Sequence, residues 1–375
     1  MDSRELKIAF IGAGAANFGG GEGPWDHASR LEKLNDLRVV GIADPDVSRA
    51  NFRLQQRTLP LYRDARCYAD FRAMIAEQRP DAVWIGVPPS AHGTLEPGKD
   101  IEVFCAAQGV HMFVEKPLSA ARPEAVRPVA GILAKSKVIT SVGYMFRYSK
   151  AIEKLKEIID QTPGGAKVFV GQYNCAYSEI RKREWWDVRP MGGPIVEQAT
   201  HFVDLARCLM GDADLGSVRA LALPGNSPAG QLCDIPKTAD GRRFDEDVPL
   251  QFRHPRATVA TWRFASGALG SLTHATLLHR EKYDTQIEVW GDGLRVALID
   301  PYGKASLLVR RPHTETLEQI VVDSDDPYLT EDRIFVDAVR SGNPSPIRCT
   351  YADALKTFEL TWAITDVAAS AAEKE

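Results

Sequence analysis

Two short stretches carry the residues best suited to moving protons. The first, FVEKPL (residues 113–118), closes an apolar run with Glu115, Lys116 and a proline. Charges at the end of a buried strand need a use. At the C-terminal edge of a parallel sheet, where doubly wound folds bind ligands, Glu115 and Lys116 would face a cofactor and its substrate. The plainer alternative is a surface Glu-Lys pair. The second stretch is GGPIVEQATHFVDLARCLMGD (residues 192–212). Phe202, Leu205 and Leu209 recur at helical spacing, and Gly211 marks the stop. Glu197, His201 and Asp204 then fall on one helical face. A carboxylate one turn from an imidazole can fix its tautomer and tune its pKa, as a general base near neutral pH requires. His201 is the candidate base and Glu197 its orienter. A buried histidine with satisfied hydrogen bonds is the competing reading.

KIAFIGAGAANFGGGEGPWDH (residues 7–27) sets an apolar run before glycines. Gly12 and Gly14 suit the tight turn and the close pyrophosphate approach of a dinucleotide loop, and Ala15, Asn17 and Phe18 complete the candidate contacts. Asn17 stands where a third glycine normally lets helix and strand pack closely, so the helix is expected to start later, near Trp25 to His27, after an inserted GGGEGP. Asp44, closing LRVVGIAD, is placed to accept the adenosine ribose hydroxyls. Its acidity favours NAD over NADP, although Arg49 nearby keeps NADP possible. A ligand-free glycine turn, with Asp44 capping the next helix, is the alternative.

A third stretch, AYSEIRKREWWDVRP (residues 176–190), offers Tyr177, Trp185 and Trp186 as flat faces for the C–H side of a sugar ring. Arg147, Arg181, Arg183 and Arg189 offer donors for hydroxyls or a carboxylate. At least one of the two tryptophans is expected in the core.

The elements that would position these groups follow from pattern. LKIAFIGAG, LRVVGIAD, DAVWIGVPP, VHMFVEKP and KVITSVGY alternate with helical segments such as ADFRAMIAEQ, the signature of a helix-covered parallel sheet. Beyond about residue 165 the pattern turns to hairpins. ATVATWRF and GALGSLTHATL flank Ser266-Gly267, and QIEVWGDGLRVALID turns at Asp292-Gly293. Residues 225–245 read as a surface excursion or lid, and Leu355, Phe358 and Trp362 mark a packed terminal helix. The expected class is α/β: a doubly wound Rossmann domain over residues 1–150, then an α+β domain with an open, mainly antiparallel sheet over residues 151–375.

Composition narrows the rest. The 375 residues, 44% hydrophobic, can bury two cores. A net charge of −4, with basic residues spread evenly, disfavours nucleic acid. No apolar run approaches the roughly 20 residues of a membrane span, and the charged MDSRELK does not read as a signal peptide, so a cytoplasmic protein is expected. Six dispersed cysteines and eight scattered histidines predict reduced thiols and no metal.

Taken in order, these motifs resemble the Gfo/Idh/MocA oxidoreductases. The matching elements are the strand-GxG start, DAVWIGVPPSAH with Pro88 and His92, VEKP, VGYMFRY with Arg147, and the Gly192, Gly193, His201 and Asp204 pattern. The late SGALGSL and EVWGDGLRV extend the resemblance over nearly the whole chain. It implies that Lys116 and His201 are the catalytic pair in a site between the two domains, with Pro88 and His92 at the cofactor. The position of Glu197 is usually aspartate in that family. The resemblance further implies a homodimer or homotetramer, and hydride transfer between NAD(P) and a secondary alcohol or ketone of a sugar, inositol or related polyol. A non-catalytic nucleotide- or sugar-sensing regulator and an NAD-dependent glycoside hydrolase share the fold and are the alternatives.

Overall fold

Leu6–Ile11 (β1) is buried along almost its whole length, as expected for a central parallel strand covered on both faces. Five more strands complete its sheet: Leu37–Ala43 (β2), Arg66–Tyr68 (β3), Ala82–Ile85 (β4), His111–Val114 (β5) and Thr140–Val142 (β6). Every pairing is parallel, in the order β3-β2-β1-β4-β5-β6. The order reverses beside β1, so the loops after β1 and β4 leave the same edge at the switch point where such sheets bind ligands. The accompanying helices are Ala15–Phe18 (α1), His27–Leu31 (α2), Val47–Gln55 (α3), Phe71–Gln78 (α4), Ile101–Ala107 (α5) and Pro123–Lys135 (α6). This computed structural model describes residues 4–20 and 26–372. It divides into two units, one holding the described residues to Tyr148 with Asp326–Leu355, the other Ser149–Asp325 with the described residues from Lys356.

The second unit opens with Lys150–Asp160 (α7) and the long strand Ala166–Ala176 (β7). Three helices follow, Val188–Met191 (α8), Pro194–Glu197 (α9) and Thr200–Met210 (α10), and then Ala213–Leu223 (β8), Ala257–Phe264 (β9) and Leu269–Leu278 (β10). Tyr283–Gly291 (β11), Arg295–Ile299 (β12), Ser306–Arg310 (β13) and Glu318–Val321 (β14) complete a sheet ordered β14-β13-β12-β11-β7-β10-β9-β8. Both expected hairpins form, with Gly267 and Gly293 in the positive-φ conformation their turns require. Only β7 and β10 run parallel. α10 lays Phe202 against the sheet, its ring 5.3 Å from Tyr173. The polar stretch 225–245 is pinned down. Ile235 packs with Tyr177, Ile180, Trp186 and Val248, while buried Asp245 binds Arg243 at 2.9 Å and Arg256 at 3.2 Å.

Pro327–Ser341 (α11) and Tyr351–Ala372 (α12) correct the expected continuous region 151–375. α11 belongs to the first unit, because Phe335, Val336, Ala338 and Val339 enter its core. Its Asp332 accepts the Trp84 indole N–H at 2.8 Å. α12 begins in the first unit and continues in the second, where the Thr357 hydroxyl lies 2.9 Å from Asp204. No described helix is long and apolar enough to cross a membrane.

Candidate functional site

The loop after β1 is built for close backbone approach. Gly12 has φ +94°, and a Cβ there would lie 2.8 Å from the carbonyl oxygen of Gly86, after β4. Such a bare crossing at the switch point fits a dinucleotide. Gly14 stands as N-cap of α1 and Ala15 sits half-buried at the rim. Asn17 corrects its expected role. Fully buried, it donates from Nδ2 to the carbonyls of Gly12 (2.7 Å) and Ile11 (3.1 Å) and packs on Gly86, taking the place of the missing third glycine by stapling the loop from inside. Phe18 is likewise internal, 4.8 Å from the Phe10 ring. α2 starts at His27, where a later helix was expected, but α1 already forms one turn before it. Of the inserted segment, Gly21 to Trp25 lie outside the described residues.

Asp44 is also corrected. Its carboxylate is 3% exposed and accepts the backbone N–H groups of Ala13 and Asp46, each at 2.8 Å, while Arg49 Nη2 binds it at 2.6 Å. It ties the end of β2 to the loop after β1. His92, 1% exposed, turns inward to Glu102 at 2.6 Å, and Pro88 is exposed at the rim. Lys116 and Glu115 are half-buried at the end of β5. The turn after them presses on Gly93, where a Cβ would meet the Leu118 carbonyl at 1.9 Å. Arg147, expected as a substrate donor, is buried in the first unit against the Arg348 carbonyl and the Asp353 carboxylate, each at 2.5 Å.

In the second unit, Glu197 and His201 are on different helices. α9 ends at Glu197 and α10 begins at Thr200, so the single helical face expected for Glu197, His201 and Asp204 is broken. Asp204 faces Thr357. His201, 8% exposed, meets the edge of Tyr302 at 6.3 Å between centroids. Tyr302 stacks on Tyr283 at 5.0 Å, and Tyr173 stacks on His274 at 5.2 Å, giving an aromatic inner sheet face. Burial, then the charges of Cys175 and Glu197, push the Tyr283 hydroxyl up to about 12. Burial pushes His274 down to about 3, so the ring is neutral and its Nε2 donates to Gln198 Oε1 at 3.0 Å. His274 and Gln198 escaped the sequence reading; the alternation of GALGSLTHATL was the available signal, since it turns His274 inward.

A small hollow opens beside α9, lined among others by Trp185, Glu184, Asp187, Met191, Glu197 and Gln198. Trp185 therefore stays a candidate platform. Trp186 does not: it is fully buried, donates to the Ile180 carbonyl at 3.0 Å and lies under Arg256. Tyr177 is also buried, its hydroxyl 3.0 Å from Cys233 Sγ.

Residues 6–144 match the family model described as oxidoreductase family, NAD-binding Rossmann fold, and residues 147–294 match that of an oxidoreductase C terminal domain. The chain is 37% identical to the uncharacterized protein UNK4.17 of Schizosaccharomyces pombe, over 96% of this chain and 91% of that one. The chain belongs to the Gfo/Idh/MocA oxidoreductase family. It is 25% identical to myo-inositol 2-dehydrogenase of Thermotoga maritima over 86% of each chain. A levoglucosan dehydrogenase crystallised with NADH and levoglucosan shares the fold, with a TM-score of 0.76, 18% identity and 97% of both chains covered. The protein is thus an NAD-binding oxidoreductase whose first unit is the cofactor domain.

Proposed function

We propose that the protein is a dehydrogenase that oxidises a secondary alcohol of a sugar, inositol or related polyol, or runs the reverse reduction. The observation that carries this reading is His201 at the edge of an aromatic sheet face, with Trp185 and Glu197 lining the hollow nearby. Aromatic faces suit the C–H side of a polyol ring, and the relatives named for inositol and levoglucosan act on CH–OH groups.

NAD supplies the hydride acceptor when bound. Gly12, Gly14 and Ala15 would hold its pyrophosphate, with Pro88 at the rim and Glu115 beside Lys116 at the nicotinamide end. As the alcohol C–H bond gives up its hydride, the hydroxyl proton passes to His201. Lys116, as ammonium, donates to the oxygen on which negative charge develops. Glu197 acts as orienter from the preceding helix. Replacing Lys116 and His201 singly by alanine and following nicotinamide absorbance on a panel of polyols tests the pair. Loss of turnover with intact NADH binding is expected, and undiminished turnover in either folded variant rejects the mechanism.

A homodimer or homotetramer is part of this proposal. It is supported by the exposed apolar residues of the second sheet, where Leu221 stands opposite Val259 across β8 and β9, and Leu269 of β10 and Trp290 of β11 both stand opposite Val168 of β7. A cytoplasmic location is proposed with it.

A further inference from the structure

A buried ionic chain in the first unit has no part in the proposed chemistry. His27, on the first turn of α2, is 3% exposed. Its Nδ1 lies 2.9 Å from both carboxylate oxygens of Asp332 on α11, and its Nε2 lies 3.0 Å from Glu115 Oε1 at the end of β5. A neutral imidazole has one N–H and one lone pair, so it can serve only one of two flanking carboxylates. Carboxylates on both nitrogens require both protons.

The surroundings fix the chain in place. Asp332 also accepts the Trp84 N–H, and the Phe113 ring meets His27 edge-on at 4.7 Å. On the far side of Glu115 is Gly143, where a Cβ would approach its Oε1 to 3.0 Å, so a larger residue there would crowd the carboxylate. Glu115 Oε2 accepts the backbone N–H of Lys116 at 3.2 Å. Glu115 thus joins His27 to the turn that presents Lys116. The other charged or titratable groups facing this cluster are Glu331 beside Asp332, Arg30 on α2, and Tyr148 near Glu331.

We infer that His27 is a positioning residue for cofactor binding: as an imidazolium held by Asp332, it keeps Glu115 ionised and aimed, and with it the Glu115-Lys116 turn. The inference rests on the proposed placement of Glu115 at the cofactor, and not on any substrate. Burial opposes the charge on His27, but Asp332 and Glu115 outweigh it and raise the pKa to about 10. The imidazolium therefore persists through the neutral range. Remove it, and Glu115 and Asp332 face each other through the site without a cation, so one of them holds a proton at higher pH.

The test uses the full chain and NADH alone. In ¹⁵N NMR of the imidazole nitrogens at pH 8, His27, assigned by the signal lost in His27→Gln, should show both nitrogens protonated. NADH affinity of the parent, followed by fluorescence, should be flat from pH 6 to 9. In folded His27→Gln it should fall about tenfold at pH 6 and recover as pH rises, since each unit of pKa displacement is a tenfold change in the ionised fraction. Adding Asp332→Asn removes the like-charge partner and should restore a flat profile; a purely structural role would not be rescued this way. Should His27→Gln fail to fold, Asp332→Asn carries the test. His27 should then titrate between pH 6 and 9, with NADH affinity moving alongside. A singly protonated His27 at pH 8 overturns the inference, as does a flat parental NADH affinity in folded His27→Gln or in Asp332→Asn. Neither result bears on the polyol assignment, which needs turnover to test.

Discussion

Lys116 and His201 are the residues on which turnover should depend most. General acid-base help is worth about 10²- to 10⁴-fold in rate, so His201→Ala should lose turnover in that range while its NADH affinity matches the parent. The two adjacent tryptophans should behave differently. Trp186, fully buried under Arg256 with its N–H satisfied, should cost roughly 3–5 kcal/mol when cut to alanine and melt early. Trp185→Ala should melt close to the parent and raise the polyol KM, because Trp185 lines the hollow beside Glu197. Melting curves and KM values on the two variants separate a core ring from a platform; equal melting losses with parental KM in both would remove Trp185 from the site.

The loop after β1 and the end of β2 act together, because Asp44 holds the Ala13 N–H. Asp44→Asn should therefore weaken NADH and NADPH alike, whereas an aspartate that reads the ribose would lose NADH selectively; paired fluorescence titrations decide between them. The same elements show what the sequence could disclose. Central parallel strands such as β1 and β4 are buried along their length and read as plain apolar runs, while β3 has three residues and an exposed Arg66 at the sheet edge, leaving no run to find. The hairpins announced themselves through Ser266-Gly267 and Asp292-Gly293. The break between Glu197 and Thr200 was less visible, although Gly193 and Pro194 are a helix start in their own right. Local pattern could not show that Asn17 would turn inward, since its partners are strand carbonyls and Gly86. Nor could it pair His27 with Asp332, 305 residues away.

At the scale of the whole molecule, stability should fall on both sides of neutrality. His27 has its folded pKa raised from 6.5 to about 10, so its contribution is complete below about 6.5 and is lost as pH rises through about 10. Glu331, held protonated by burial and by Glu115, adds the same sign. His274, lowered from 6.5 to about 3, works oppositely: the unfolded chain takes up its proton first, so stability falls as pH drops from 6.5 toward 3. Thermal melts across pH should show both limbs, with the alkaline limb reduced in His27→Gln. Sedimentation should find a dimer or tetramer, and Trp290→Asp on the exposed sheet face should shift it toward monomer with the fold retained. The central claim is tested most directly by supplying NAD with inositols, sugars and sugar acids and recording NADH formation by the parent, Lys116→Ala and His201→Ala. Turnover of at least one polyol by the parent, lost in both folded variants, is the result expected. No turnover of any polyol, or equal turnover in the variants, would contradict it.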